Sequence, residues 1–258
     1  MKNYKNLLTV FFITCINSIA EAQLPSGVEN DFEARFNHIK INLTSIPLNN
    51  YSIQYERVLN KKSSIGFSFR FMPESKLPFR KLIRDAVADQ DPELQRTVEQ
   101  LRISNFAFTP EYRFYIGKGF GRGFYIAPFY RFAHFKSNNI LITYTADILG
   151  NEETINLSGD LTANTGGILF GAQWALSENI SLDWMIAGPH FGGGNGDFEG
   201  VSSRPLSSNE QQRVKQELES LDIPFTKKSI SVNSQGANMK LDGPWGGIRT
   251  GILLGIRF

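Results

Sequence analysis

Ser104-Asn105-Phe106-Ala107-Phe108-Thr109-Pro110-Glu111-Tyr112-Arg113-Phe114-Tyr115-Ile116 alternates residue by residue. Phe106, Phe108, Pro110, Tyr112, Phe114 and Ile116 fall on one face, and Ala107, Thr109, Glu111, Arg113 and Tyr115 on the other. Side chains of an extended strand point to opposite faces with a period of two, so this stretch is a strand with one large apolar face and one small, charged face. The same split recurs on both sides of it. Ile65, Phe67, Phe69 and Phe71 alternate with Ser64, Gly66, Ser68, Arg70 and Met72. Ile39, Ile41 and Leu43 alternate with His38, Lys40, Asn42 and Thr44, and Tyr51, Ile53 and Tyr55 with Ser52, Gln54 and Glu56. Downstream, residues 123–135, 166–176, 180–187 and 246–258 repeat the pattern, which makes eight candidate strands.

The rest of the composition agrees with a β-rich chain. Of 258 residues, 23 are Gly and 21 Phe, and 41% are hydrophobic against 20% charged, which excludes a disordered polar chain. The 27 Lys+Arg nearly balance the 25 Asp+Glu, a formal charge of +2, so no basic field points to nucleic acid. The first residues read as an export signal. Lys2 and Lys5 precede the apolar run Leu7 to Ile19, and Ala20-Glu21-Ala22 supplies small residues for cleavage before Gln23. That run is shorter than the ~20 residues of a spanning helix. Cys15 is the only cysteine and lies inside this segment, which leaves the chain beyond it without thiol chemistry. The expected organisation is a signal peptide over 1–22, a periplasmic lead-in over 23–35 and an antiparallel β-barrel over 36–258.

Alternation also suits a water-soluble sandwich or a lipocalin-like barrel, in which the large apolar residues would turn inward. Three features favour an outer-membrane barrel. First, the connections sort by length: Asn60–Ser63, Gly117–Arg122 and Ser177–Asn179 are tight, whereas 47–50, 73–103, the tip near Leu149–Glu152 and 191–244 fall on the opposite side. Second, the chain ends in alternating Ile252, Leu254, Ile256 and Phe258. Third, the small face carries Lys40, Glu56, Arg70, Glu111, Arg113, Arg131, Asp183, Arg249 and Arg257. In a narrow eight-stranded barrel these would pair and fill the lumen.

With Lys40-Ile41-Asn42-Leu43-Thr44-Ser45, Tyr51-Ser52-Ile53-Gln54-Tyr55-Glu56-Arg57 and the terminal Phe258, the chain resembles the small eight-stranded outer-membrane barrels typified by OmpX and the transmembrane domain of OmpA, and more closely an uncharacterised family of similar barrels. The resemblance implies an all-β, eight-stranded antiparallel transmembrane barrel in the outer membrane of a Gram-negative-type bacterium. Its C-terminal strand would be read by the barrel-insertion machinery, and its surface would contact outer-membrane lipid. Members of such families include adhesins, stability factors, immune-evasion proteins and subunits of larger machines.

Further expectations concern the connections. Pro110 and Pro128 predict a bulge or a gap in the ladder between their strands, because neither donates an N–H. Residues 73–103 predict one or two amphipathic helices interrupted at Pro92, and 207–221 a helix started by Ser208 with Gln211 three later. Gly192 to Gly196 reads as a flexible loop. Tyr112, Trp174, Trp184 and Trp245 are the candidate interfacial aromatics.

No catalytic set emerges. His38, His134 and His190 lack ligand spacing, so no metal or other cofactor is expected, and His134 with Ser137 is the nearest approach to a nucleophile and base. The expected function is binding at the cell surface, through an extracellular ligand or as an accessory subunit of a larger outer-membrane complex. An outer-leaflet lipid-modifying enzyme is the first rival and a narrow pore the second.

Overall fold

The computed structural model describes residues 35–86, 92–117, 119–146, 151–221 and 223–258. The expected signal peptide, nearly all of the lead-in and half of the tip Leu149–Glu152 lie outside them. Among the described residues nine strands form: β1 (Asn37–Asn42), β2 (Tyr51–Asn60), β3 (Ser63–Lys76), β4 (Arg102–Ile116), β5 (Gly123–Thr145), β6 (Glu152–Ala175), β7 (Ile180–Val201), β8 (Lys227–Asn233) and β9 (Gly236–Arg257). Three helices stand between them: α1 (Arg80–Ala86), α2 (Pro92–Gln100) and α3 (Ser208–Ser220). A 3-10 turn over Leu43–Leu48 links β1 to β2. No described helix is long and apolar enough to cross a membrane.

All pairings are antiparallel. The order runs β1-β2-β3-β4-β5-β6-β7-β9, and β9 pairs back onto β1. His38 faces Arg257 and Asn42 faces Leu253 across that seam, which closes eight strands into a ring. Closure leaves no exposed ladder along the ring itself. β8 is outside the ring and pairs with the far part of β9, Lys227 opposite Asp242 and Asn233 opposite Gly236.

The walls of the ring differ in height. β1 has 6 residues, β2 10 and β3 14. β5, β6, β7 and β9 have 22 to 24 each. One end of the ring is closed by the tight connections β2–β3, β4–β5 and β6–β7, and the tall wall rises beyond the opposite end.

This height corrects the reading of 191–244 as a loop. β7 runs on to Val201 and β9 begins at Gly236, with Gly192 opposite Trp245 and Gly196 opposite Leu241. The Gly192 to Gly196 stretch is strand. Gly192 is required by close approach, since a Cβ there would lie 2.1 Å from the Asn164 carbonyl oxygen, and one on Gly194 would be a tight 3.3 Å from the Trp245 Cβ.

The two prolines interrupt the β4–β5 ladder without a bulge. Phe108 pairs with Phe132 and Glu111 with Phe129, in constant register on both sides of Pro110. Bulges fall elsewhere, between Ser137 and Ile140 of β5, where Asn139 has φ 64, and between Met185 and Gly188 of β7. Each extra residue exchanges the faces of its strand. On β5 the inward set passes from Tyr125 and Ala127 to Ile142 and Tyr144; on β7 it passes from Asp183 and Met185 to His190 and Phe198.

Candidate functional site

The interior holds charge and the exterior holds oil. Lys40, Glu56, Glu111, Arg113 and Asp183 are almost wholly buried, while Ile39, Ile41, Ile53, Phe69, Phe71, Phe114, Ile116, Phe124, Ile252, Leu254, Ile256 and Phe258 are exposed on the outside. Alternation places them so. Residues one apart on a strand must take opposite faces.

Six of the nine charged residues singled out in the sequence meet in one network near the tight-turn end. Lys40 Nζ donates to Glu56 and, at 2.7 Å, to Asp183. Arg113 Nη1 donates to Asp183 Oδ2 and its Nε to Glu111 Oε1, each at 2.6 Å. Arg249 joins from above, its Nη1 3.0 Å from Glu111 Oε2. Neutral side chains complete the shell. Gln173 Oε1 accepts from Lys40 at 2.6 Å and Arg113 at 3.0 Å, Gln54 Nε2 donates to Glu111 at 2.9 Å, Tyr115 OH donates to Glu56, and Tyr125 OH donates to Asp183 at 2.8 Å. The Arg113 guanidinium also lies 4.2 Å from the Tyr125 ring centroid. Buried charges are tolerated only when partners satisfy them on several sides, and here they are. Gln54, Gln173, Tyr115 and Tyr125 were not singled out from the sequence. Their shared parity with the charged positions was the available signal.

Arg70 and Arg131 stand apart. Arg131 Nη1 donates to Thr109 Oγ1 at 3.2 Å, and among the described residues neither arginine has a carboxylate within ion-pair distance. Both line a small cavity with Arg249, Ser52, Ser68 and Thr109.

Of the four candidate interfacial aromatics, Tyr112, Trp174 and Trp184 are on outward positions of their strands. Trp245 is not. It shares the inward face of β9 with Arg249 and Leu253, and its ring packs on Phe135 of β5 with centroids 5.4 Å apart. Gly194 of β7 borders Trp245, since a Cβ there would lie 3.3 Å from the Trp245 Cβ.

Beyond the ring, the tall wall carries a cap. α3 lays Val214 and Leu218, both fully buried, on Ile142, Tyr144, Ile155, Leu157, Phe198, Ala237 and Met239, with Ile230 and Val232 of β8 at the edge. Its N-cap is Ser207 rather than Ser208. The Ser207 hydroxyl accepts from the Glu210 N–H, and the Glu210 carboxylate accepts from the Ser207 N–H at 2.8 Å. Arg204 clamps the same carboxylate and reaches Glu153 of β6 at 2.7 Å. The hydrogen bond from Arg204, then those from Ser207, hold the Glu210 carboxyl down to about 2. Burial, with the hydrogen bond to Glu153, pushes the Tyr144 hydroxyl up to about 12. At the far end Lys228 Nζ donates to the Leu221 carbonyl at 2.6 Å. Helix ends leave such carbonyls without internal partners. In the β3–β4 connection, α1 and α2 are tied by Arg84 and Glu99 at 3.1 Å.

His134 faces outward and its partner is not Ser137. Its Nδ1 lies 3.1 Å from Thr162 Oγ1 and its Nε2 3.4 Å from Asp160 Oδ1. No group of three or more His, Cys, Asp and Glu that could hold a metal occurs among the described residues.

A closed antiparallel ring of eight strands, with a salt-bridged interior and a helix-bearing cap on its taller side, is the class of structure these residues define. The chain belongs to the DUF3575 family, described as proteins of unknown function, whose model matches residues 9–199. No curated protein matches the chain.

Proposed function

We propose that this chain is exported by residues 1–22 and inserted into an outer membrane as an eight-stranded β-barrel, where it acts as a surface-binding protein or accessory subunit through its cap. The observation that carries the membrane reading is the inversion of faces. A ring with Lys40, Glu56, Arg113 and Asp183 inside and a belt of Phe, Ile and Leu outside has its apolar surface turned to the medium. A large contiguous apolar surface is stable against lipid and not against water. Strand length fits as well. About 9 to 11 tilted residues cross a bilayer, so β2 has that length, β1 with 6 residues is shorter and is continued by the 3-10 turn, and β5, β6, β7 and β9 rise well beyond it.

Binding is favoured over conduction because the network fills the lumen at the tight-turn end. It is favoured over catalysis because the cap is built from packing and clamps. The cap is also the largest structure that membrane insertion alone does not require. The test is extraction from the native membrane in mild detergent, with an affinity tag in the link between α3 and β8, beside the exposed Phe225. A protein recovered in constant stoichiometry, and lost when α3 is deleted, is the expected result for a subunit. Recovery of a bare monomer that also fails to bind host or cell-surface ligands would remove the binding reading. Lipid acylation that changes in His134→Ala would favour the enzyme instead.

A further inference from the structure

We propose that the connection between β3 and β4 forms a site for the phosphate-bearing headgroup of an outer-leaflet lipid, held by Lys76, Arg80, Lys81 and Arg84 and flanked by Phe79 and Leu82. The helix α1 leads to it, because its apolar stripe is left uncovered. Phe79, Leu82, Ile83 and Ala86 recur at the i, i+3, i+4 and i+7 spacing of one helix face, and such a stripe ordinarily packs on a core. Here Leu82 is 69% exposed, Phe79 57% and Ile83 37%, and no residue of α1 is buried. Its neighbour α2 behaves in the ordinary way. Val98 is buried, and the Gln100 carbonyl accepts from Asn139 of β5 at 3.4 Å. α1 is held against α2 through Arg84 and Glu99 and still leaves its apolar face open.

The other face of α1 supplies charge and space. Residues 76–84 contain four cations and no carboxylate. Lys76, at the end of β3, lines one cleft of about 240 Å³ with Arg80, Lys81 and Arg84, and Glu99 is the one carboxylate among the described residues of its wall. A water molecule occupies about 30 Å³, so the cleft has room for a phosphate group. Glu99 is engaged by Arg84 at 3.1 Å, and Arg84 also by Asp85 at 3.0 Å. Lys76, Arg80 and Lys81 have no ion-pair partner among the described residues. Guanidinium and ammonium groups donate strong, charge-assisted hydrogen bonds to phosphate oxygens. A free ion or an acidic peptide would use these cations and leave Phe79 and Leu82 idle. A phosphorylated amphiphile uses both, and basic residues on one helix face with large apolar residues on the other are the pattern of helices that lie in a lipid interface.

Position along the ring agrees. Phe69 and Phe71 are the upper exposed apolar residues of β3, and Lys76 is five residues beyond Phe71. At ~3.3 Å per residue the cleft begins no more than ~17 Å above that belt, within reach of a lipid headgroup. It lies at the end of the ring opposite the tight turns, the same end from which the cap rises. The inference rests on the membrane reading proposed above and is independent of what the cap binds.

The test reconstitutes the full-length protein into phosphatidylcholine vesicles that contain a minor fraction of phosphatidic acid with the same acyl chains, whose phosphate monoester is the probe. The protein is then extracted in mild detergent and its retained lipids are counted by native mass spectrometry. Folding of every variant is checked by its heat-modifiable migration in gels. Wild type is expected to retain one phosphatidic acid per chain in preference to phosphatidylcholine. Arg80→Gln combined with Lys81→Gln should weaken that preference by about fivefold for each cation removed. Phe79→Ser combined with Leu82→Ser should lower retention with the heat-modifiable band unchanged, and Lys62→Gln in the β2–β3 turn should change nothing. Equal retention of the two lipids by wild type, or a preference that survives loss of Arg80 and Lys81, overturns the proposal. Retention undiminished without Phe79 and Leu82, and displaced by inorganic phosphate, would make the cleft a free-phosphate site and overturn it too. So would loss of a companion protein in the Arg80→Gln, Lys81→Gln variant with no selective lipid, which would assign the cleft to an acidic partner. A chain that gives no heat-modifiable band in vesicles contradicts the membrane reading itself, whereas a folded chain without selective lipid contradicts this site alone.

Discussion

Lys40 and Asp183, 143 residues apart in sequence, meet inside the ring with the ammonium 2.7 Å from the carboxylate. Lys40 also serves Glu56 and Gln173, so it is a hub. Lys40→Met leaves two buried carboxylates short of a cation. Breaking a buried ionic pair from one side costs about 3–5 kcal/mol. Urea unfolding of refolded protein in lipid is expected to show a loss of that order, and a shift below 1 kcal/mol would place the network outside the structural core.

Two neighbouring glycines make a sharper pair. A Cβ on Gly192 meets the Asn164 carbonyl oxygen at 2.1 Å, whereas one on Gly193 meets nothing within 4 Å. Gly192→Val should therefore lower folding yield severely, and Gly193→Val should fold as wild type, read by gel migration after refolding. Equal behaviour would contradict the β6–β7 pairing described.

The cap can be opened without opening the ring. Leu218 is fully buried beneath α3, and burying a leucine is worth about 1.5–3 kcal/mol. Leu218→Asp loses that and adds a charge. Limited proteolysis is expected to cut within 202–235 in the variant and not in wild type, while the heat-modifiable band persists in both. Loss of that band would mean that cap and ring fold as one unit.

Acid should loosen the same helix. Glu210 titrates at about 2 in the folded chain against an ordinary 4.5, held down by Arg204 and Ser207. A depressed carboxyl contributes its full stabilisation above about 4.5 and loses it as pH falls from there toward 2. Protease susceptibility of 202–235 should rise across that window in wild type. In Glu210→Gln it should already be raised at pH 7 and be flatter with pH.

Much of the ring was legible because alternation is unbroken over 38–42, 51–58, 64–72 and 104–116, and the tight turns bracket it. The tall wall was not. Gly192, Gly193, Gly194 and Gly196 have no side chains to alternate, and the bulges at Asn139 and near Ala187 exchange the faces of β5 and β7, so a fixed period fails there. Trp245 was misplaced because it adjoined a stretch read as loop, although its parity with Arg249 along β9 turns it inward. The charged residues showed their common face in sequence, but which of them meet depends on the closure of β1 against β9. Arg70 and Arg131 differ from Arg113 only in height along the ring, which no local pattern records. The helix over 208–220 was visible from its capping residues. The sheet it packs on was not, since β8 pairs only with the extension of β9.

The inversion of faces is tested most directly by scanning Ile252, Leu253, Leu254 and Ile256 with single cysteines in a Cys15→Ser background, each labelled with a fluorophore and reconstituted in brominated lipid. Quenching by lipid at 252, 254 and 256, and little at 253, is the expected result. Uniform quenching by aqueous iodide along the strand, with none by lipid, would contradict a lipid-facing ring.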